Sequence, residues 1–409
     1  MLKICCLSHF HGREEKKMRI LHTADWHLGK TLEGRSRLPE QAQFLEELLH
    51  IVEEEKVDVV LMAGDVYDTV NPPAQAEVLF YESLQQLSNN GKRPVAVIAG
   101  NHDNPDRLSA SRPLASSQNI SLLGYPTMDV QSIYVPTTEE TLKLASLPYP
   151  SESRLNEVLS EEFEEKVIRD HYDARIRQFF DKMCEQFTDS SVNIAMSHLF
   201  VAGGNSTDSE RPIEVGGAFT VAAESLPHQA QYVALGHLHR PQTIKRAKTA
   251  ARYSGSPLAY SFSEAGYTKS VTIIDAKPGE TVETKEVFLS SGKPLVKWKA
   301  TEGVQQVYGW LEEKKDNNAW VDLEIHVTNA LSMEEIHRIR KHHDGILHIR
   351  PIFPEMVEGR KAVKMDSVPI EELFVRFYEK QSGGAKPEEE LVRLFLSLLQ
   401  DETVKEEQV

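Results

Sequence analysis

From Met18 onward, short runs rich in Val, Ile and Leu alternate with longer stretches whose apolar residues recur every three or four positions. The runs 18–24, 57–63 (VDVVLMA), 94–99 (PVAVIA), 192–197 (VNIAMS) and 231–235 (QYVAL) have the length and composition of buried strands. Between the first two, QAQFLEELLHIVEEEK places Phe44, Leu45, Leu48, Leu49 and Val52 on one helical face. AEVLFYESLQQLSNNGK follows the second and stops near Gly91. Such alternation predicts an α/β fold, with helices on both faces of a sheet.

Further along, residues 153–188 have a helical pattern, with Val158, Leu159, Val167, Ile168 and Ile176 as the apolar face. The stretch 251–275 predicts turn-linked strands that close a second sheet. The chain is then charged and irregular until AWVDLEIHV (319–327), a helix over 332–343 and the strand ILHIRPI (346–352), a small β-α-β unit. Two helices end the chain, 369–381 and 387–400, separated by Ser382, Gly383 and Gly384. The first carries Ile370, Phe374, Phe377 and Tyr378 on one stripe, the second Leu391, Leu394, Phe395, Leu398 and Leu399. So apolar a hairpin packs on its own domain or receives a partner helix.

Composition narrows the class. The 409 residues, 40% of them hydrophobic, are enough for two or three domains with a sizeable core. No run is long and apolar enough for a membrane span, and the three cysteines, Cys5, Cys6 and Cys184, exclude a disulfide framework and fit a reducing, cytoplasmic setting. Residues 1–17 precede a second methionine, and Cys5, Cys6, His9 and His11 match no usual zinc spacing; this segment is expected to be a disordered leader or an upstream-start extension. The formal charge of −16 argues against nucleic-acid binding by bulk charge, so any DNA contact needs local basic patches, metal ions or a partner.

Each of the five strands ends in ligand-type residues: Asp25 and His27, Asp65 and Asp68, Asn101 with His102 and Asp103, His198, and His237 with His239. The carboxyl ends of strands in an α/β sheet face one crevice, so these clusters should meet. In Asp25-x-His27 and His237-x-His239, extended backbone would put both side chains on one side. Carboxylate, amide and imidazole form a mixed oxygen and nitrogen set suited to Mn²⁺, Fe²⁺ or Zn²⁺, without the thiolates of structural zinc. Asp25, His27, Asp65, Asn101, His198, His237 and His239 exceed the needs of one ion and suit two, with Asp65 as the central bridge. Two such ions suit phosphate ester hydrolysis. His102, awkward as a ligand beside Asn101, is assigned to the leaving group, with Asp68 orienting its ring and Asp103 either assisting or forming the turn. His22, alone inside a strand, is expected to be an ordinary core residue.

In this order, Asp-x-His, Gly-Asp-x-x-Asp, Gly-Asn-His-Asp, Ser-His and Gly-His-x-His resemble the calcineurin-like metallophosphoesterase superfamily, a two-layered β-sandwich flanked by helices. The strings LHTADWHLGKTLEGRSR, MAGDVYDTVNPP, AGNHDNPDRL, GGNSTDSERPIEVGG, VALGHLHRPQ and YSGSPLAYSFSE narrow the resemblance to nuclease subunits of SbcCD-type DNA-repair complexes, over most of residues 18–275. It implies one Mn²⁺ on Asp25, His27, Asp65 and His239, a second on Asp65, Asn101, His198 and His237, and His102 as the catalytic histidine. Archaeal and eukaryotic relatives tend to have His where this chain has Asp68, so the orientation of His102 can differ.

The resemblance further implies a nuclease domain over 18–280, a DNA-binding cap over 285–362, and over 365–402 a helical pair that grips an SbcC-type coiled-coil ATPase, within a homodimer-based heterotetramer. Arg338, Arg340, Lys341, His342, His343, His348 and Arg350 in the β-α-β unit, and Arg240, Lys245, Arg246, Lys248 and Arg252 after the last ligand motif, could supply positive charge at the mouth of the site. With no Gly-x-x-x-x-Gly-Lys-Ser/Thr loop in the chain, ATP use has to come from the partner. The competing expectations are a small-substrate phosphatase or cyclic-nucleotide phosphodiesterase, and a non-enzymatic DNA tether, against which the full ligand set argues.

Overall fold

Alternation along Met18–Thr23 sends Ile20 to one face of its strand and Leu21 to the other, and the two faces meet different layers. In a computed structural model describing residues 16–151, 172–210, 219–353, 370–381, 387 and 391–396, Ile20, Leu61 and Ile98 pack against Leu144, Ile194 and Ala234 of a second sheet. On the opposite face, Leu21, Val60, Met62 and Val97 pack against helices Leu38–Glu54 and Ala74–Leu87 through Phe44, Leu48 and Phe80.

The first sheet runs in the order Glu283–Phe288, Ser270–Ala276, Met18–Thr23, Val59–Ala63, Val95–Ile98, Ile120–Leu123, parallel from the third strand onward. The second runs Gln242–Thr243, Ala250–Tyr253, Tyr232–Gly236, Val192–His198, Glu140–Leu147, Val130–Val135. Helix Tyr172–Cys184 covers its outer face with Ile176, Phe179 and Phe180. The hydropathy pattern alone predicts helices on both faces of a sheet. Instead each sheet has helices only outside, because its other face buries the partner sheet, and the sandwich implied by the resemblance is the observed fold. Strands within 251–275 do not stay together either: Ala250–Tyr253 joins the second sheet, while Ser270–Ala276 pairs antiparallel with Met18–Thr23 in the first. The first sheet then continues to Phe288, across the boundary expected at 280–285.

Residues 295–352 build a three-stranded parallel sheet, Leu295–Ala300, Trp320–His326 and Ile346–Ile352, with helices Val304–Glu312 and Met333–His342 in the crossovers. This unit is thus larger than β-α-β by one strand and one helix. Its seam with the sandwich joins Leu295, Trp320 and Leu347 to Leu32 and Phe262. At that seam Glu40 accepts from Arg37 Nε at 2.6 Å, Trp320 Nε1 at 2.9 Å and Lys293 N at 2.6 Å.

Residues from Phe353 onward form a separate unit. Within it, helix Ile370–Gln381 and the helical residues 391–396 meet through stacked rings of Phe374 and Phe395, centroids 4.1 Å apart. The cysteine and histidine positions before residue 16, the helical stretch expected over 153–171, and Leu398 and Leu399 lie outside the described residues, as does the side chain of Phe377. Among the described residues no helix is long and apolar enough to cross a membrane.

Candidate metal centre

The loops after Met18–Thr23 and Val59–Ala63 run side by side, and backbone hydrogen bonds lock them together: Asp25 N to Gly64 O at 3.0 Å, His27 N to Asp65 O at 3.0 Å, Leu28 N to Val66 O at 2.9 Å. Asp25, His27, Asp65 and His237 all have positive φ, at 55°, 47°, 52° and 108°. The pairs Asp25-x-His27 and His237-x-His239 therefore do not aim by extended alternation, as expected from their spacing. They turn inward through left-handed backbone, a conformation that costs about 1–3 kcal/mol per non-glycine residue and persists where the surroundings over-determine it. Asp103 supplies much of that constraint. Its buried carboxylate accepts from the N–H groups of Val66, Tyr67 and Gly100 at 3.1, 2.9 and 2.8 Å, tying two ligand loops to each other.

Glycines ahead of the motifs are there for close approach. A Cβ on Gly100 would lie 2.0 Å from Asp65 Oδ1, and one on Gly64, itself at φ +90°, would lie 2.3 Å from His198 Nδ1.

All the expected donors converge. Asp65 Oδ2 lies 3.5 Å from His27 Nε2 and 3.4 Å from His198 Nε2, between two groups of side chains. On one side His27 Nε2 faces His239 Nε2 at 3.0 Å. On the other, His198 Nε2 lies 2.9 Å from Asn101 Oδ1 and its ring meets that of His237 edge-on at 5.4 Å. Asp25 Oδ1 accepts from His237 N at 2.8 Å, whereas its Oδ2 is buried with no hydrogen-bond partner. Asp25, His27, Asp65, His198, His237 and His239 are all buried, and Asn101 is half-buried.

Burial decides which donors keep their lone pairs. It pushes the His27 imidazole down to about 3, and burial with the nearby His198 holds His237 well below the usual histidine range. Burial raises the Asp25 carboxyl to about 7. For Asp65 burial acts upward too, but the His198 imidazolium beside it outweighs that and holds it well below the carboxylate range. Burial would lower His198, yet Asp65 and Asp25 carry it up to about 9. A buried carboxylate oxygen without a donor, and two ring nitrogens 3.0 Å apart pointing at each other, are what a divalent cation would satisfy. The oxygen and nitrogen donor set fits one.

Two expectations need correction. His102 Nδ1 lies 2.7 Å from the backbone carbonyl of Asp68, not at its carboxylate, which meets Lys30 Nζ at 2.7 Å and approaches His27 Nδ1 to 3.6 Å. In the expected basic cluster, His343 is buried against Trp298 and the Asp316 carbonyl, and Arg350 directs Nε and Nη2 to Asp322 at 3.0 and 2.6 Å. Arg338 lies over Tyr308, Arg240 lies over Tyr267, and Arg340 and Lys341 are on the last turn of helix Met333–His342. His22 is a core residue, 3.1 Å from Tyr232 Oη.

Sequence reasoning did not mark Ser209, Glu210, Glu264 or Lys269, which surround His239. The Ser261-x-x-Glu264 spacing of a capping box was the available signal, and it points to a turn rather than to a metal site.

The sequence model of the calcineurin-like phosphoesterases matches residues 18–241. The chain belongs to this family. The phosphoesterase is 66% identical over 381 residues to the SbcD subunit of the nuclease SbcCD of Bacillus subtilis (strain 168), covering 93% of this chain and 97% of that one. Among solved structures it is similar to a dimetal phosphatase from Danio rerio, at 14% identity and TM-score 0.37 over 67% of this chain and 100% of the other. TT1561 of Thermus thermophilus matches at 11% identity and TM-score 0.36, over 66% and 99%. As a calcineurin-like phosphoesterase the chain is a metal-dependent hydrolase of phosphoester bonds, and the buried donor cluster contains groups of side chains that could hold a divalent metal ion.

Proposed function

We propose that this phosphoesterase is the nuclease subunit of an SbcCD-type complex: a Mn²⁺-dependent exonuclease on duplex DNA ends and endonuclease on single strands and hairpins, serving DNA repair, recombination and replication. The observation that carries this reading is the convergence of Asp25, His27, Asn101, His198, His237 and His239 around Asp65. Asp25, His27, Asp65 and His239 would hold one ion, and Asp65, Asn101, His198 and His237 the other. When bound, such a pair polarises the phosphate and lowers the pKa of water.

The chain's own residues do the rest. Asp65 holds the two donor groups at a common carboxylate, and its Oδ1 accepts from His102 N at 2.9 Å, which sets His102 beside the pair. His102 directs Nδ1–H to the Asp68 carbonyl, an acceptor that fixes the ring and makes Nε2 the nitrogen that faces the reacting phosphate. From there it protonates the leaving oxygen or balances its charge.

The unit over 295–352 is assigned as a cap that contacts DNA through Arg338, Arg340 and Lys341, with Arg240 on the sandwich side. The helical pair after residue 369 is assigned to a coiled-coil ATPase of the SbcC type, two copies of each chain making a heterotetramer in the cytoplasm. The test is hydrolysis of hairpin DNA by the purified chain in Mn²⁺, with and without the ATPase, alongside metal content. Cleavage that requires Mn²⁺ and gains ATP dependence with the partner supports the reading; hydrolysis of nucleotides with DNA left intact refutes it in favour of a small-substrate phosphatase.

A further inference from the structure

A hydroxyl has one hydrogen, and at Ser209 three neighbours lie within reach of it. Its Oγ is 2.6 Å from His239 Nδ1, 2.6 Å from Glu264 Oε1 and 2.9 Å from Thr207 Oγ1, a neutral hydroxyl whose own hydrogen goes to Glu210 Oε2 at 2.6 Å and which competes poorly with a carboxylate as acceptor. Glu264 is fully buried, and the groups around it are donors: the N–H groups of Tyr260 and Ser261 point at Oε1 from 3.0 and 3.2 Å, and Lys269 Nζ contacts Oε2. A carboxylate paired with an ammonium accepts and cannot donate. The Ser209 proton therefore goes to Glu264, and the Ser209 lone pairs are left facing the imidazole. That orientation requires a hydrogen on His239 Nδ1. Nε2 is then the ring atom that keeps its lone pair, and Nε2 is the atom that faces His27 across 3.0 Å.

Lys269 grips the same histidine a second time. Its Nζ also donates to the His239 carbonyl at 3.0 Å and to Ser256 Oγ at 2.8 Å. Glu210 Oε1 accepts from His239 N at 2.8 Å, so ring, amide and carbonyl of one residue are all held. A buried ion pair is weak evidence of stabilisation, since removing both charges from water costs about as much as their attraction returns. What this pair does provide is direction.

We infer that Ser209, Glu264 and Lys269 form a positioning relay that fixes His239 as the Nδ1–H tautomer and presents its Nε2 to the metal centre. The inference rests on the proposed role of His239 as a ligand, and it extends the donor set to three residues that do not touch the ion themselves.

The test uses the full chain and two readouts, ¹⁵N-histidine NMR of the metal-free protein at alkaline pH, where the ring is neutral, and calorimetric titration with Mn²⁺ alone. In the unsubstituted chain His239 should show a protonated Nδ1 and an unprotonated Nε2. Ser209→Ala, at a half-buried site that tolerates truncation, should mix the tautomers and weaken Mn²⁺ binding about 10- to 100-fold, and Ser209→Thr should restore both. A Ser209→Ala protein with the original tautomer overturns the relay, whether or not its Mn²⁺ affinity falls, since a fall without the tautomer change means packing alone. An unsubstituted chain that keeps the Nδ1–H signature but binds no Mn²⁺ supports the relay and sinks the metal reading instead.

Discussion

His102 Nδ1 lies 2.7 Å from the carbonyl oxygen of Asp68, so the backbone of one loop, rather than its acidic side chain, sets the ring of the other. Changing the Asp68 side chain leaves that carbonyl in place. Asp68→Asn should therefore preserve cleavage at saturating Mn²⁺ while raising the Mn²⁺ concentration required by about tenfold, through lost contact with His27 and Lys30. His102→Asn should show the reverse, with both ions bound and the rate down about 10²- to 10⁴-fold. Metal content and rate measured on each variant check this; a rate collapse in Asp68→Asn at saturating metal would contradict it.

Asp65 stands 3.4–3.5 Å from a ring nitrogen of each donor group, and a neutral amide there cannot serve two cations as a carboxylate does. Asp65→Asn should lose both Mn²⁺ ions together instead of one. Stoichiometry by calorimetry decides, and retention of a single tight ion would show that Asp65 belongs to one group only.

Gly100 touches Asp65 so closely that an added Cβ would lie 2.0 Å from its Oδ1 and 2.3 Å from its backbone nitrogen. Gly100→Ala must displace Asp65 to fold at all. The expected outcome is a protein with ordinary helix content by circular dichroism and Mn²⁺ affinity reduced at both sites.

Glu40 meets the fully buried Arg37 guanidinium, Trp320 Nε1 and Lys293 N at the seam of sandwich and three-stranded unit. Glu40→Ala leaves the Arg37 charge buried without its partner, a loss of about 3–5 kcal/mol. Urea unfolding reads it directly, and a change below about 1 kcal/mol would mean that water reaches Arg37.

Glu47 provides a pH-dependent contribution to stability. Partial burial acts to raise its carboxyl, but the hydroxyl and N–H of Ser290 and the N–H of Ser291 outweigh that and hold it below the usual range. With the folded value depressed, the unfolded chain binds the proton more readily. The contribution is therefore present above the unfolded value of about 4.3 and disappears as pH falls through the folded one. Glu47→Gln should be less stable than the unsubstituted chain near neutral pH, and the gap should close on acidification, as chemical denaturation at the two pH values will show.

The strands that carry the ligands were legible because they are buried on both faces, which forces continuous apolar runs such as VVLMA, and because each is followed by chemically distinctive residues. Strands with one face in water were not. Glu283–Phe288 is almost wholly exposed, and Leu295–Ala300 places Lys297 and Lys299 outward, so neither shows an apolar run and the hydropathy pattern there is irregular.

Within the site, sequence by itself determined which side chains could hold cations and in what order along the chain they come. Only the tertiary structure decided how they point. Left-handed backbone at Asp25, His27, Asp65 and His237 depends on hydrogen bonds between loops 37 to 212 residues apart, and the Asp68 carbonyl that holds His102 belongs to no side chain that a motif could reveal. Ser209, Glu264 and Lys269 are ordinary polar residues until folding closes water away from them, and a hydrogen bond gains its direction from where its partners have been placed.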